Sequence, residues 1–406
     1  MKKRHISLDL SNPCLVYGII WIAALWLVNL QFVSFFIKPN EKTIILVVSN
    51  IISFVLVYFI LSINFPKIKK MELQAIIRHD ILDKLWVFTK KLLFIWILGS
   101  IVEILVSGGL PIYWALTNAS KGYADFGIPT FHGLMNALHM FCTMSVFLDY
   151  CLRKNKRKLL LVMGLLIWPV IGMSRGALVW PLLEIFGIYL LLNKVSIANI
   201  LKIITTLVLF IVLFGYIGDY RQGIDIYDYE SSIITKVASE EGINYFKYLP
   251  SGVFWFYLYG VSGINNVIGV INNLEPTYSI YPILGTLLPS IIRDNISGPS
   301  VSSWELVSQA FTASTYYSGL LVGSGIMGAI LIVIILQFII VYFYINARRG
   351  SVWAILCYGI LFQSLVLSIF WDTFFSLVTI AQILLALYFR KICSKVNVVN
   401  PLRDCA

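Results

Sequence analysis

Apolar runs of about twenty residues recur along this chain, and that recurrence constrains its fold more than any other feature. A helix of about 20 apolar residues crosses the roughly 30 Å hydrocarbon core of a bilayer. Only helices and closed barrels satisfy every backbone polar group there. The runs fall at 16–37, 43–63, 92–107, 133–151, 159–173, 177–192, 200–218, 319–346, 352–370 and 374–389. They predict an all-α integral membrane protein of about ten transmembrane helices. Composition agrees, because 59% of the 406 residues are hydrophobic and 13% are charged, unlike a soluble domain. The first run is too long for the apolar core of a signal peptide and lacks a small-residue cleavage site, so it is expected to be the first span.

The net charge of +11 does not point to nucleic acid, because the basic residues sit in short connections between apolar runs. They occupy MKKRH at the start, the Lys67 to Lys91 loop, RKNKRK at 153–158, Lys194 and Lys202, Arg348 and Arg349, and Arg390 with Lys391. All fall on one side of the alternating spans, so the positive-inside rule predicts cytoplasmic loops and two cytoplasmic termini. The other face receives Ser107 to His132, the SRG turn at 174–176, WDT at 371–373, and one long segment. That segment, with four basic and nine acidic residues between 219 and 318, is expected outside the cytoplasm. The chain thus divides into helices one to seven (1–218), the external loop (219–318), and helices eight to ten with a tail (319–406). The apolar stretch Ser251 to Asn272 is expected to pack on the membrane face or re-enter it, since a true crossing would put Arg348 and Arg349 outside.

The six cysteines lie away from the long loop, and no Cys/His metal spacing or glycine-rich phosphate loop appears, so neither metal nor nucleotide cofactor is expected. Attention moves to the few charges near the outer leaflet. Arg175, in GMSRGALVWP, stands between two apolar runs, where an unpaired charge is costly. Two readings remain open for it: it reaches the headgroups or pairs with an acid such as Glu103, or its planar fork of donors binds a phosphate group. Arg221, in GDYRQG, and Arg293, in LLPSIIRDN, are expected at the same level, and the three together suit a lipid diphosphate. Glu305, in VSSWELVSQ, is the preferred general base, while Asp219 and Asp294 stand beside candidate arginines as orienting groups. Glu103, Glu184, His132 and His139 are expected to make structural pairs. The aromatic run FWFYLY, Phe254 to Tyr259, suits either a sugar-stacking platform or an interfacial belt.

The SRG hairpin, YRQG after a span, EPTYSIYPILGTLLPSIIR in a large external loop, and QAFTASTYYSGLLVGSGIMGAI entering the next span together resemble the Wzy family of O-antigen repeat-unit polymerases. The pattern departs at Gly323, where related chains often carry an aspartate ahead of the Gly-x-x-Gly pair. The resemblance implies a GT-C-like glycosyltransferase bundle in the bacterial inner membrane, joining undecaprenyl-diphosphate-linked oligosaccharide units on the periplasmic face. It leaves Arg175 and Arg221 matched; with Arg293 and Glu305 these are the expected catalytic residues, and Asp219, Tyr220, Tyr278 and Asp294 are the expected substrate-binding ones. It further implies contact with membrane lipids and with a chain-length regulator of the Wzz type. The alternatives are an O-antigen ligase and a lipid-linked oligosaccharide flippase. Ligases resembling this chain use a histidine in the large loop, and none falls between Asp219 and Ser318. A transporter should show similar halves, and no internal repeat is visible.

Overall fold

The computed structural model describes residues 9–63, 70–117, 120–193, 232–288 and 311–396, with scattered positions between 195 and 219 and between 292 and 308. Its long helices are α1 (Pro13–Asn29), α2 (Glu41–Ile63), α3 (His79–Ser107), α4 (Phe131–Arg153), α5 (Lys156–Ile171), α6 (Arg175–Leu192), α7 (Ser251–Asn272), α8 (Tyr317–Arg348), α9 (Val352–Leu367) and α10 (Leu377–Val396). Among the described residues there is no strand, and the one β-bridge pairs Val33 with Ala238. Six helical stretches, Glu41–Ile63, His79–Leu116, Phe131–Arg153, Ser251–Asn272, Tyr317–Arg348 and Leu377–Ser394, are long and apolar enough to cross a membrane. The chain is therefore an all-α protein of membrane-embedded character.

Local sequence sets the ends. Asn12 caps α1 by accepting from the Cys14 amide at 3.0 Å, with Pro13 at the first helical position. The α3 helix stops where Gly108 turns left-handed at φ 76°. Helix α4 is central and packs against α3, α5, α6 and α10, while α6 lies along α9, and α8 along α2 and α9. The outer helices expose Phe59, Phe94 and Leu105, apolar surface of the kind that lipid covers.

The two ends of the bundle differ. One gathers the basic connections: Arg153 pairs with Asp83 at 2.8 Å and Asp149 at 3.3 Å, Lys158 pairs with Asp149 at 3.2 Å, and Arg390 stacks on Trp353. Residues 9–11 join this end, where Tyr344 donates to Asp9 at 3.3 Å and Tyr358 to the Ser11 carbonyl. The opposite end carries the 30–40, 172–174 and 368–376 connections and the described residues of 108–130 and of 232–316.

Several expected boundaries shift. The first span was expected to run to residue 37, but α1 stops at Asn29, and the apolar FVSFFI continues beneath α7 as non-helical chain with a turn at Ser34 and Phe35. There Asn265 takes both backbone groups of Ile37, and Tyr257 meets the Phe32 amide at 3.2 Å and the Leu27 carbonyl at 3.2 Å. Those side-chain partners replace the bonds a longer helix would supply. The expected basic loop up to Lys91 is largely helical, because α3 begins at His79. The 200–218 span falls mostly outside the described residues.

Helix α7 is neither a surface helix nor an outer member of the bundle. Most of its apolar window is buried, and FWFYLY is mainly core, with Phe254, Trp255 and Tyr257 buried and Phe256 exposed, rather than a platform or a belt. Its contacts nonetheless stay at one end. Tyr257, Asn265 and Asn272 reach Leu27, Ile37 and Asn40; Asn266 donates to the Phe311 and Ala313 carbonyls; Gly263 packs on the Ile369 carbonyl. Each partner lies in a connection opposite the basic end or, for Leu27, in the last turn of α1 before one.

Candidate functional site

The turn that delivers Arg175 is built by its neighbours. The α5 helix ends with Gly172, Met173 adopts a left-handed φ of 51°, and the Ser174 hydroxyl caps α6 by accepting from the Ala177 amide at 3.4 Å. Gly176 was expected to turn this hairpin; it lies instead inside the first turn of α6 with open space around it, so residues 172–174 make the bend. Arg175 is the first residue of that helix. The α6 and α9 helices run antiparallel, with Gly187 against Phe362 and Gly359 against the Glu184 carbonyl. From the contact of Gly359 with Glu184, nine residues back along α6 reach Arg175 and eight forward reach the end of α9 at Leu367, so Arg175 stands near the level at which the 368–376 turn begins.

Glu103, the acid expected as an alternative partner for Arg175, is buried and holds His132 through Nδ1 at 3.0 Å. The ring of His139 meets the Leu165 carbonyl through Nε2 at 2.9 Å in the core. Both histidines are thus structural, as expected. Glu184 is buried between α6 and α10, and neither carboxylate oxygen has a hydrogen-bond partner, while the Nε2 of the neighbouring Gln382 points to the Met140 sulfur at 3.9 Å. A reversed Gln382 amide would serve both groups.

The stretches EPTYSIYPIL and STYYSGLLVGSGIMG meet here. Inside α8, Gly325 takes φ 69° and ψ −178°, which breaks the helix at a conformation open to glycine. At the break the Val322 carbonyl accepts from the Thr277 amide at 2.8 Å and the Thr277 hydroxyl at 3.1 Å. In an unbroken helix that oxygen belongs to the Ile326 amide. Gly319 and Gly323 share one face of the preceding turns, and a Cβ on either would stand 2.5 Å from the Pro282 carbonyl oxygen or 2.7 Å from that of Ser279. The stripe lets backbone pack on backbone. An aspartate at Gly323 would have no room there.

Of the sequence-predicted site residues, Tyr220, Arg221, Arg293, Asp294 and Glu305 lie outside the described residues, and Arg175 is described through its backbone. Tyr278 stands 82% exposed in the EPTY stretch, at a left-handed φ of 49°. Asp219 is buried at the start of α7, accepting from the Ser251 hydroxyl and from Trp255 Nε1 at 2.8 Å. A carboxylate at that end of a helix also meets the positive pole of its dipole. Its described partners make it the anchor of α7.

One acid was missed by the sequence reading. Asp372, in the 368–376 turn, accepts from the Phe375 amide at 3.3 Å, and crowding by protein atoms pushes its carboxyl up to about 7 against the pull of the Phe375 and Phe374 amides. The turn is tied by Phe370 against Tyr259 of α7, by the Thr286 hydroxyl on the Phe375 carbonyl at 2.6 Å and by Phe374 against the Tyr316 ring. The available signal was a lone acid, WDT, between two apolar runs. No protein-family model, curated protein or solved structure matches this chain.

Proposed function

We propose that this protein is a membrane glycosyltransferase of the O-antigen polymerase type, joining undecaprenyl-diphosphate-linked oligosaccharide units at the periplasmic face of the bacterial inner membrane. The observation that carries the reading is the seating of Thr277 on the Val322 carbonyl, which joins two of the stretches that resemble that family. The basic connections gather at the end opposite the long segment, which favours a cytoplasmic basic end and a periplasmic working face.

In this reading the acceptor hydroxyl attacks C1 of the donor sugar, the C1–oxygen bond to the lipid diphosphate breaks, and the diphosphate leaves with the bonding electrons. The sugar develops oxocarbenium character. Arg175, Arg221 and Arg293 meet the charge that grows on the leaving diphosphate, favouring the transition state over the ground state. A carboxylate takes the acceptor proton.

Cells lacking the protein should hold single lipid-linked units and lose the polysaccharide ladder, which the wild-type chain restores and Arg175→Ala does not. Arg175→Lys keeps the charge without the fork and should also fail to restore normal length. A ladder unchanged by deletion sinks the reading. Loss of all glycan from the outer surface, single units included, would favour a flippase.

A further inference from the structure

We propose that Asp372 is the catalytic base of this glycosyl transfer, its carboxylate taking the proton of the acceptor hydroxyl as that oxygen bonds to the donor C1. This rests on the polymerase reading. The position comes first: Asp372 lies in the turn between α9 and α10, near the level of the start of α6 where Arg175 stands, at the end of the bundle that also holds the described residues of the long segment. A diphosphate bound by Arg175 would leave its sugar near this turn.

The mounting comes second. Asp372 is held by the Phe375 amide, and its turn is fastened on three sides: Tyr259 of α7 packs on Phe370, Thr286 bonds the Phe375 carbonyl, and the Tyr316 ring meets Phe374 at 5.4 Å. The Tyr316 amide adds a bond to the Ser368 carbonyl at 3.2 Å. A base so fixed loses little when it engages a hydroxyl. Asp372 itself is half-buried, and Trp371 beside it is 52% exposed, so the turn is reached from outside the bundle.

The electrostatics come third. The titratable side chains that the packed elements turn toward this turn are the phenols of Tyr259 and Tyr316; no acid or base is among the described residues that tie it. Burial raises the carboxyl to about 7, close to the operating pH, where a general base best combines availability with proton affinity. The step balances: the acceptor O–H proton passes to Asp372, the new glycosidic bond forms, the diphosphate departs with the electron pair of the broken bond, and Asp372 returns its proton to water.

The test uses the full-length protein in lipid vesicles, supplied with lipid-linked oligosaccharide extracted from cells that lack it, and follows chain lengthening between pH 5.5 and 9. Wild-type protein should lose rate on the acid side with a midpoint near 7. Asp372→Asn, which keeps the acceptor for Phe375, should lengthen chains about 100- to 10,000-fold more slowly while retaining substrate binding. Asp372→Glu should keep part of the rate and move the acid limb. Glu305→Gln is the control, and if it removes the acid limb while Asp372→Asn keeps more than a tenth of the rate, the assignment to Asp372 is overturned. Vesicles in which wild-type protein makes no polymer overturn the function reading itself. Folding of each variant is checked by thermal unfolding, and an unfolded Asp372→Asn with an unmoved limb in Asp372→Glu also counts against the proposal.

Discussion

Replacing Asp219 by alanine should cost stability rather than only activity, and the size of that cost follows from its surroundings. The carboxylate is buried, accepts from the Ser251 hydroxyl and from Trp255 Nε1 at 2.8 Å, and sits at the first turn of α7. Hydrogen bonds to a charged group contribute about 1.5–3 kcal/mol each, and an indole N–H left buried without a partner costs about 1–3 kcal/mol. Loss of the helix-pole interaction adds about 0.3–1 kcal/mol. Relief of carboxylate desolvation works the other way by a few kcal/mol. The net expectation is a loss of about 2–4 kcal/mol. Chemical unfolding in mixed micelles, read by tryptophan fluorescence, gives that difference directly. Trp255→Phe keeps an aromatic ring against Tyr259, whose centroid lies 5.8 Å away, and removes the donor, so a double-mutant cycle isolates the pair. The coupling should be about 1.5–3 kcal/mol. If Asp219→Ala unfolds like the wild type yet makes no polymer, the carboxylate serves the substrate or Arg221 and its anchoring of α7 is refuted.

Gly319→Ala places a Cβ 2.5 Å from the Pro282 carbonyl oxygen; contact at about 3.3 Å needs a shift of roughly 0.8 Å, so destabilisation of about 1–3 kcal/mol is expected, and a variant as stable as wild type would contradict the packing. A reporter active only outside the cytoplasm should work when fused at Glu240 and stay silent at Lys156 or after Arg349, and the reverse pattern would invert the assigned faces. Asp372→Asn should raise stability at pH 8. The folded pKa near 7 lies above the ordinary 3.8, so the folded state binds this proton more tightly and wild-type stability falls as pH rises from about 4 through 7. Asparagine avoids that cost, on the order of 2–4 kcal/mol, and the two proteins should converge near pH 4; a variant weaker than wild type at pH 8 means the carboxylate is a stabilising cap.

Membrane character and most helix positions are legible in the sequence because a bilayer imposes a length and a polarity on every crossing segment. That rule does not separate a helix from apolar chain covered by protein. FVSFFI reads as the tail of a span, yet Tyr257 and Asn265, more than two hundred residues away, bond backbone groups at its two ends and hold it out of the helix. No local pattern announces such partners.

The site divides on the same principle. Arg175 is visible from sequence because a lone cation among apolar residues is anomalous wherever the chain places it. Asp372 looks ordinary, a single acid between two runs, and gains its character when α7, residues 285–288 and the start of α8 close around its turn. Composition of a run gives its depth, whereas the pKa of an acid depends on what the remaining chain packs beside it. Gly323 follows the same logic: the Ser279 carbonyl oxygen is seated 2.7 Å from where a Cβ would stand, so backbone packing closes that turn to an acid, and under the proposed function the base at this end of the bundle has to come from another connection, such as the one that carries Asp372.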